Sequence, residues 1–205
     1  WALGHGANQA CGLVESLGAM AKSVSVGNAA RNGLVAALLA RQGFTASPQT
    51  LEGPRGFVRV LGEQPRLEAL TEGLGERWEA AANLLKPYPS GVVLHPVVDA
   101  CLTLRSQHGL DAQRTRSVRA YGHPLLRQRT DRPQPRSGRE AAVSIQHTVA
   151  VCLLYGEAGV AQFADSLVHD PAVRALGARV QVEDDAAIAV EAARVEIGLD
   201  EASRF

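Results

Sequence analysis

The sequence has no stretch suited to crossing a membrane and little that suggests a nucleic-acid surface. No apolar run approaches the ~20 residues that a membrane-spanning helix needs, and no signal-peptide pattern opens the chain. The 21 basic residues are balanced by 21 acidic ones, and aromatic residues make up only 4% of the chain. Arginines gather between Arg114 and Arg139, but no aromatic stacking platform accompanies them, so this run is interpreted as a solvated loop or at most an anion-facing rim. We expect a soluble cytoplasmic protein without nucleic-acid or membrane partners.

Cysteine and histidine are sparse and poorly spaced for holding a metal. Cys11, Cys101 and Cys152 lie far apart and form no CxxC pair, and the six histidines show no HxxxH or HxxE pairing. We therefore expect no metal site and no disulfide framework. The three cysteines are predicted to be reduced, buried thiols, as in a cytoplasmic protein.

Lysine is rare among the basic residues of this chain. Two of the 21 basic residues, Lys22 and Lys86, are lysine, and the others are arginine. Arginine keeps its proton at accessible pH, whereas a desolvated lysine can lose it. A chain that uses arginine for solubility can reserve lysine for sites that need a compact or titratable ammonium. The alternative is that both lysines are solvated loop residues.

The stretch around Lys86 combines a cation, a phenol and a hydroxyl on stiff backbone. Residues 86–90 read KPYPS, and the two prolines fix φ and prevent a continuous helix. His95 and Pro96 follow, with Pro96 suited to the first turn of a new helix. Such a loop, followed by a helix start, can hold Lys86, Tyr88 and Ser90 against a small anion. A proline-rich connector with a solvated lysine is the competing interpretation.

The order of the predicted elements indicates an α+β protein. Residues 1–18 predict a Gly/Ala-rich helix, and a second helix runs from about Asn28 to Gln42, which leaves Lys22 in the loop before it. Residues 65–85 predict a short helix with a buried Trp78. Further helices are expected at 97–109, 139–155 and 171–177, with strands at 116–121, 179–183 and 192–199. His147 is expected to be a hydrogen-bonded core histidine. Both ends look cut, with a turn at 200–203.

Four ordered motifs resemble one family. They are QACGL at 9–13 with MAK at 20–22, the Gly- and Ala-rich segment from Gly27 to Thr45, LEG at 51–53 with GF at 56–57, and KPYPS at 86–90 with His95 and Pro96. Ser144, Gln162-Phe163 and Pro171–Arg174 agree with its later part. This ordered set is similar to the MmgE/PrpD family, which contains 2-methylcitrate dehydratase, cis-aconitate decarboxylase and iminodisuccinate epimerase.

The resemblance implies a fold, a site and a chemistry. Residues 1–81 would be the end of an all-helical domain and 82–205 most of a smaller α+β lid, with the active site between them. Family members work without cofactors, are generally homodimers, and act on small di- and tricarboxylic acids. Lys22 and Lys86 match positions that hold substrate carboxylates and move protons, and we expect their ammonium groups to meet in one pocket. Tyr88 and Ser90 would orient the carboxylates, with His95 a lesser candidate.

Three departures from the family pattern bear on activity. Ser25 stands where decarboxylase-like members have histidine, and Gly91 and Val92 replace side chains that follow KPYPS in other members. The acidic residues and histidines that the family contributes from earlier helices are absent, so a polypeptide of these residues alone is expected to be inactive.

Three hypotheses follow. The first is a cofactor-independent hydro-lyase like 2-methylcitrate dehydratase, which abstracts a proton next to a carboxylate. The second is an isomerase, epimerase or decarboxylase of the same family. The third is a non-catalytic binding module that kept the scaffold, as Ser25, Gly91 and Val92 would allow.

Overall fold

The computed structural model describes residues 1–199, and the chain divides into two compact units. The first consists of Trp1–Ser16 and Met20–Leu84. The second consists of Leu17–Ala19 and the residues from Leu85 onward. The assignment of residues 1–81 to a helical domain and 82–205 to a lid stays a prediction. So does the turn expected at 200–203, which lies outside the described residues.

The first unit is built from helices and helical turns. Its α-helices are α1 (Ala2–Ala7), α2 (Ala21–Arg41) and α3 (Phe57–Leu61), and 3₁₀ turns lie at Val14–Ser16, Leu67–Leu70 and Glu79–Ala82. The predicted C-terminus of α2 is confirmed, because Gly43 follows it with a φ of 81°. This left-handed conformation is one that glycine adopts without strain.

Other predictions for the first unit are wrong. Residues 1–18 form α1 and a short turn rather than one helix, and α2 begins at Ala21 rather than near Asn28. Trp78 is 71% exposed, and Cys11 is exposed as well. The burial predictions failed because apolar residue type indicates burial only statistically, and much of a protein surface is apolar.

The second unit mixes helices with a small sheet and confirms the predicted α+β fold class. Its helices are α4 (His95–His108), α5 (Pro124–Thr130), α6 (Gly138–Ala141), α7 (Ile145–Tyr155), α8 (Asp165–Val168) and α9 (Pro171–Gly177), and its described strands are β1 (Ser117–Gly122), β2 (Val180–Asp184) and β3 (Ala193–Gly198). β1 lies in the centre, parallel to β2 and antiparallel to β3.

The strands and α9 follow the sequence signals. Val195 and Ile197 are buried on one face of β3 while Arg194 faces outward, as the alternation predicts. Oδ1 of Asp170 accepts hydrogen bonds from the backbone amides of Ala172 and Val173 at 2.8 and 3.1 Å and caps α9.

The helix predicted over 139–155 is divided into α6 and α7. Ser144 separates them and caps α7, because its hydroxyl oxygen accepts from the amide of His147 at 3.2 Å. Every residue of α7 from Ile145 to Leu153 is buried, as expected for a helix that is apolar nearly all round. α7 therefore forms the centre of the core.

His147 has the predicted structural role. Its side chain is 3% exposed, and its Nε2 lies 2.8 Å from the carbonyl oxygen of Gln162. Since a carbonyl only accepts, Nε2 carries the proton. Burial lowers the pKa of His147, although the hydrogen bond to Gln162 opposes this shift, so the ring is neutral.

Within residues 1–199, no helix combines the length and hydrophobicity that crossing a membrane requires.

Candidate active site

The KPYPS loop and the start of α4 form the candidate site. The loop leads into a 3₁₀ turn at Val92–Leu94, and α4 begins at His95 with Pro96 in its first turn, as the sequence predicts. Leu94 and Val97 are fully buried and anchor this segment in the core. The amide of Gly91 donates to the carbonyl oxygen of Ala142 at 2.8 Å and ties the loop to the segment before α7. The 3₁₀ turn that follows the loop is therefore fixed at both of its ends.

Lys86 is held by the loop that follows it. Its Nζ donates a 2.7 Å hydrogen bond to the carbonyl oxygen of Ser90, although the side chain as a whole is exposed. An ammonium has three N–H donors, so the two that have no hydrogen-bond partner among residues 1–199 remain for a ligand. The structure thus presents a positioned cation at the protein surface, suited to a carboxylate.

Tyr88 is oriented by a residue that the sequence analysis missed. Its hydroxyl donates a 2.6 Å hydrogen bond to Oδ1 of Asp99 on α4. The hydrogen bond to Asp99, together with burial, raises the pKa of Tyr88 to about 12, so the phenol stays protonated. The Tyr88 ring also meets the His95 ring edge-to-face, with centroids 5.5 Å apart. Asp99 follows His95 by one helical turn, and that spacing was the available signal.

Two buried polar atoms of this segment have no hydrogen-bond partner among residues 1–199. They are the Ser90 hydroxyl oxygen and Nε2 of His95. An unpaired buried polar atom costs on the order of 1–3 kcal/mol, so such atoms are expected where a ligand or water completes them. Ser90 is 3% exposed, so this free-energy cost applies to its hydroxyl group.

His95 is neutral in this setting. Burial is the main cause that lowers its pKa, and the charge of Lys86 lowers it further. Hydrogen bonding to the backbone at Ser90 and Tyr88 and the charge of Asp99 act in the opposite direction. A neutral imidazole with an unpaired ring nitrogen can accept or donate a proton, depending on its tautomer.

Lys22 lies in a different setting from the one predicted. It occupies the first turn of α2 rather than a loop before the helix, and its side chain is exposed. It belongs to the first unit, whereas Lys86, Tyr88, Ser90 and His95 belong to the second. The structure therefore brings four of the five predicted site residues together, and the meeting of Lys22 with Lys86 stays a prediction.

A cavity of about 540 Å³ contains none of the predicted site residues. Two of its polar lining side chains already make hydrogen bonds within the fold. Gln146 accepts from the amide of Arg132 and donates to Asp131, and Arg174 donates to the carbonyl of Val168 and to His169. We therefore place the candidate site at the KPYPS loop and not in this cavity.

The described residues contain no group of three or more His, Cys, Asp or Glu side chains that could hold a metal ion.

Comparison with known proteins identifies the family. Residues 1–70 match the MmgE/PrpD N-terminal domain, and residues 88–201 match the MmgE/PrpD C-terminal domain. The chain belongs to the MmgE/PrpD family. The match to the C-terminal domain covers the candidate site from Tyr88 onward.

Relatives within the family include enzymes named cis-aconitate decarboxylase. The one from Aspergillus terreus is 36% identical over 115 residues, which is 52% of this chain and 24% of that protein. The one from Homo sapiens is 29% identical over 168 residues, 79% of this chain and 34% of that protein. The chain thus spans about a quarter to a third of the length of the curated relatives it matches.

Proposed function

We propose that the protein is a lyase of small di- and tricarboxylic acids and that it dehydrates a hydroxy acid, as 2-methylcitrate dehydratase does. The observation that carries the proposal is the site at the KPYPS loop. There Lys86 is positioned by the carbonyl oxygen of Ser90, and Nε2 of His95 is buried without a partner among residues 1–199. Membership of the MmgE/PrpD family and the named relatives support the coarser part, a carboxylic-acid lyase.

Lys86 supplies the charge that this chemistry needs. Removing a proton from the carbon next to a carboxylate builds enolate-like negative charge on that carboxylate. The two N–H groups of Lys86 that remain beside the Ser90 carbonyl bond would stabilise it. Lys22 is the proposed second ammonium, for another carboxylate of the same substrate.

His95 is the proposed proton acceptor of the second unit. Burial keeps its imidazole neutral, so one ring nitrogen has a free lone pair. The substrate loses its carbon-bound proton to that nitrogen. The C–O bond then breaks as the hydroxyl takes this proton from the imidazolium and leaves as water, so that an unsaturated acid and a neutral His95 remain. The buried Ser90 hydroxyl would complete its hydrogen bonding with the substrate.

Decarboxylation is the second candidate, and the similarity to cis-aconitate decarboxylases favours it. Loss of carbon dioxide from a carboxylate builds the same enolate-like charge, which Lys86 would stabilise in the same way. Ser25, Gly91 and Val92 instead favour a binding module that has lost its activity.

Product analysis separates these candidates. The intact protein is incubated with 2-methylcitrate, citrate and cis-aconitate, and the products are followed by mass spectrometry. Loss of water from a hydroxy acid supports the proposal, and loss of carbon dioxide supports the second candidate. Absence of turnover, together with an unfolding midpoint that none of these acids raises, would contradict both.

Light scattering on the same sample tests the proposed homodimer.

A further inference from the structure

The hydrogen bond between Tyr88 and Asp99 determines whether the Tyr88 hydroxyl can donate a hydrogen bond to a ligand or only accept one. An ionised carboxylate accepts hydrogen bonds and has none to donate, so the Tyr88 hydroxyl must be the donor in this 2.6 Å contact. The distance is that of a charge-assisted O–H···O⁻ bond, the stronger class of hydrogen bond. The single proton of the Tyr88 hydroxyl is therefore committed to Asp99.

A phenol whose proton is committed presents only lone pairs to a ligand. A substrate carboxylate is also an acceptor, so it gains no hydrogen bond from the Tyr88 oxygen. A hydroxyl or an ammonium group can donate to that oxygen. The hydroxy acids of the proposed function carry a hydroxyl group and no ammonium group. A hydroxyl group remains as the matching partner.

We infer that Tyr88, held by Asp99, determines specificity by accepting a hydrogen bond from the hydroxyl group of a hydroxy acid, while Lys86 takes a neighbouring carboxylate. This inference rests on the proposed function and assigns the residue that binds the hydroxyl group of its substrate. It gives Tyr88 a different group of the substrate from the carboxylate that the sequence analysis assigned to it. It also makes Asp99 a positioning residue, which acts through Tyr88.

Position 99 allows a clean test of this role. Asp99 is exposed on α4, whereas Val97, Val98 and Cys101 of the same helix are fully buried. Replacing Asp99 by alanine therefore leaves the core contacts of α4 in place. It removes the acceptor and frees the phenol proton, which can then be donated to a substrate carboxylate.

Citrate and tricarballylate are the appropriate probes, because they share three carboxylates and differ by one hydroxyl group. Their dissociation constants are measured by calorimetry on the intact protein. We expect the wild type to prefer citrate by about threefold to tenfold, the contribution of one hydrogen bond. Tyr88→Phe should weaken the binding of citrate and leave the dissociation constant of tricarballylate unchanged. Asp99→Ala should reduce the preference for citrate over tricarballylate, because it strengthens the binding of tricarballylate.

Absorbance titration of the phenols supplies a second readout that a merely structural role of Asp99 would not change. The Tyr88 phenol, identified by subtracting the Tyr88→Phe spectrum, should ionise at lower pH in Asp99→Ala than in the wild type. An equal citrate preference in all three proteins overturns the inference and leaves the proposed function standing. Failure of both acids to bind the wild type overturns the proposed function and the inference with it.

Discussion

The ammonium of Lys86 lies 2.7 Å from the carbonyl oxygen of Ser90, four residues further along the chain. This contact closes the proline-rich loop on itself and fixes the position of the cation before any ligand arrives. A preorganised cation stabilises developing negative charge without first having to be oriented. The sequence places a lysine in this loop, and the structure adds a restraint that suits this lysine to its proposed role.

Lys86→Ala should lower kcat/KM of the intact protein by at least about 100-fold, because it removes the charge that is proposed to stabilise the enolate-like intermediate. The free energy of unfolding should change by no more than about 1 kcal/mol, since the side chain is exposed and makes one hydrogen bond to the backbone. Steady-state kinetics and chemical denaturation measure the two effects.

Lys22→Ala is expected to show the same pattern, and Arg77→Ala is the control for loss of a surface cation. Arg77 is exposed and pairs with Glu79 at 2.6 Å. Wild-type rates in both lysine variants would contradict their proposed roles, and a large loss in Arg77→Ala would point to a general effect of charge.

Gly91→Ala should be tolerated. A Cβ at this position would lie 3.8 Å from the carbonyl oxygen of Ala142, which is an ordinary contact distance, and the φ of −59° suits any residue. We expect the free energy of unfolding to stay the same or rise by up to about 1 kcal/mol, because alanine restricts the unfolded chain. Thermal or chemical denaturation measures the change.

Gly138→Ala is the matched control for Gly91→Ala. A Cβ there would overlap the carbonyl oxygen of Phe163, so this variant should be clearly destabilised. Equal destabilisation of the two variants would mean that the space beside Gly91 is not available to the larger side chains found in other family members.

Stability should decrease as the pH falls below about 6.5, the ordinary pKa of histidine. Burial lowers the pKa values of His95 and His147 in the folded protein. Between the ordinary value and these lowered values, the unfolded chain binds protons that the folded chain does not. The histidine contribution to stability is therefore complete above the ordinary value and is lost progressively below it.

Unfolding free energies measured from about pH 8 to pH 5 test this dependence. His95→Gln and His147→Gln should each reduce the slope, and the double variant should reduce it further. A slope that survives in the double variant would assign the dependence to other groups.

A thiol reagent should modify Cys11 rapidly in the native protein and leave the other two cysteines unmodified. Cys11 is exposed, whereas Cys101 and Cys152 are buried. Burial raises the pKa of Cys152 to about 12 and also raises that of Cys101, so neither supplies the reactive thiolate. Mass spectrometry should detect one label in the native protein, none in native Cys11→Ser, and three after denaturation of the wild type. Native labelling of Cys11→Ser would contradict this assignment.

The sequence was most informative where a local signal determines the backbone. Pro96 and the Asp170-Pro171 pair specify helix starts whatever surrounds them, and the alternation of Val195 and Ile197 specifies a strand face. It was least informative at residues 21–27. Ser, Val and Gly there are weak helix formers, yet they continue α2, because propensity is a small energy that a longer helix easily outweighs.

The candidate site was predictable in part because it too carries a local sequence signal. Lysine scarcity and the proline-rich loop pointed to Lys86, Tyr88, Ser90 and His95, which lie together within one loop and helix start. Asp99 was missed because a carboxylate on an exposed helix face is usually solvated. Its spacing from His95 was the available signal, but that spacing does not specify the direction of the Tyr88 side chain, on which the role of Asp99 depends.

Helices α2 and α7 differ sharply in what surrounds them. α7 is buried over nine consecutive residues, whereas Ala36 is the buried residue of α2, and Leu34 of α2 is 64% exposed. Backbone amides in α7 can exchange with solvent only when the core opens, while those in α2 need only local fraying of the helix. Deuterium should therefore enter α2 long before α7, and early proteolytic cuts should fall in the first unit.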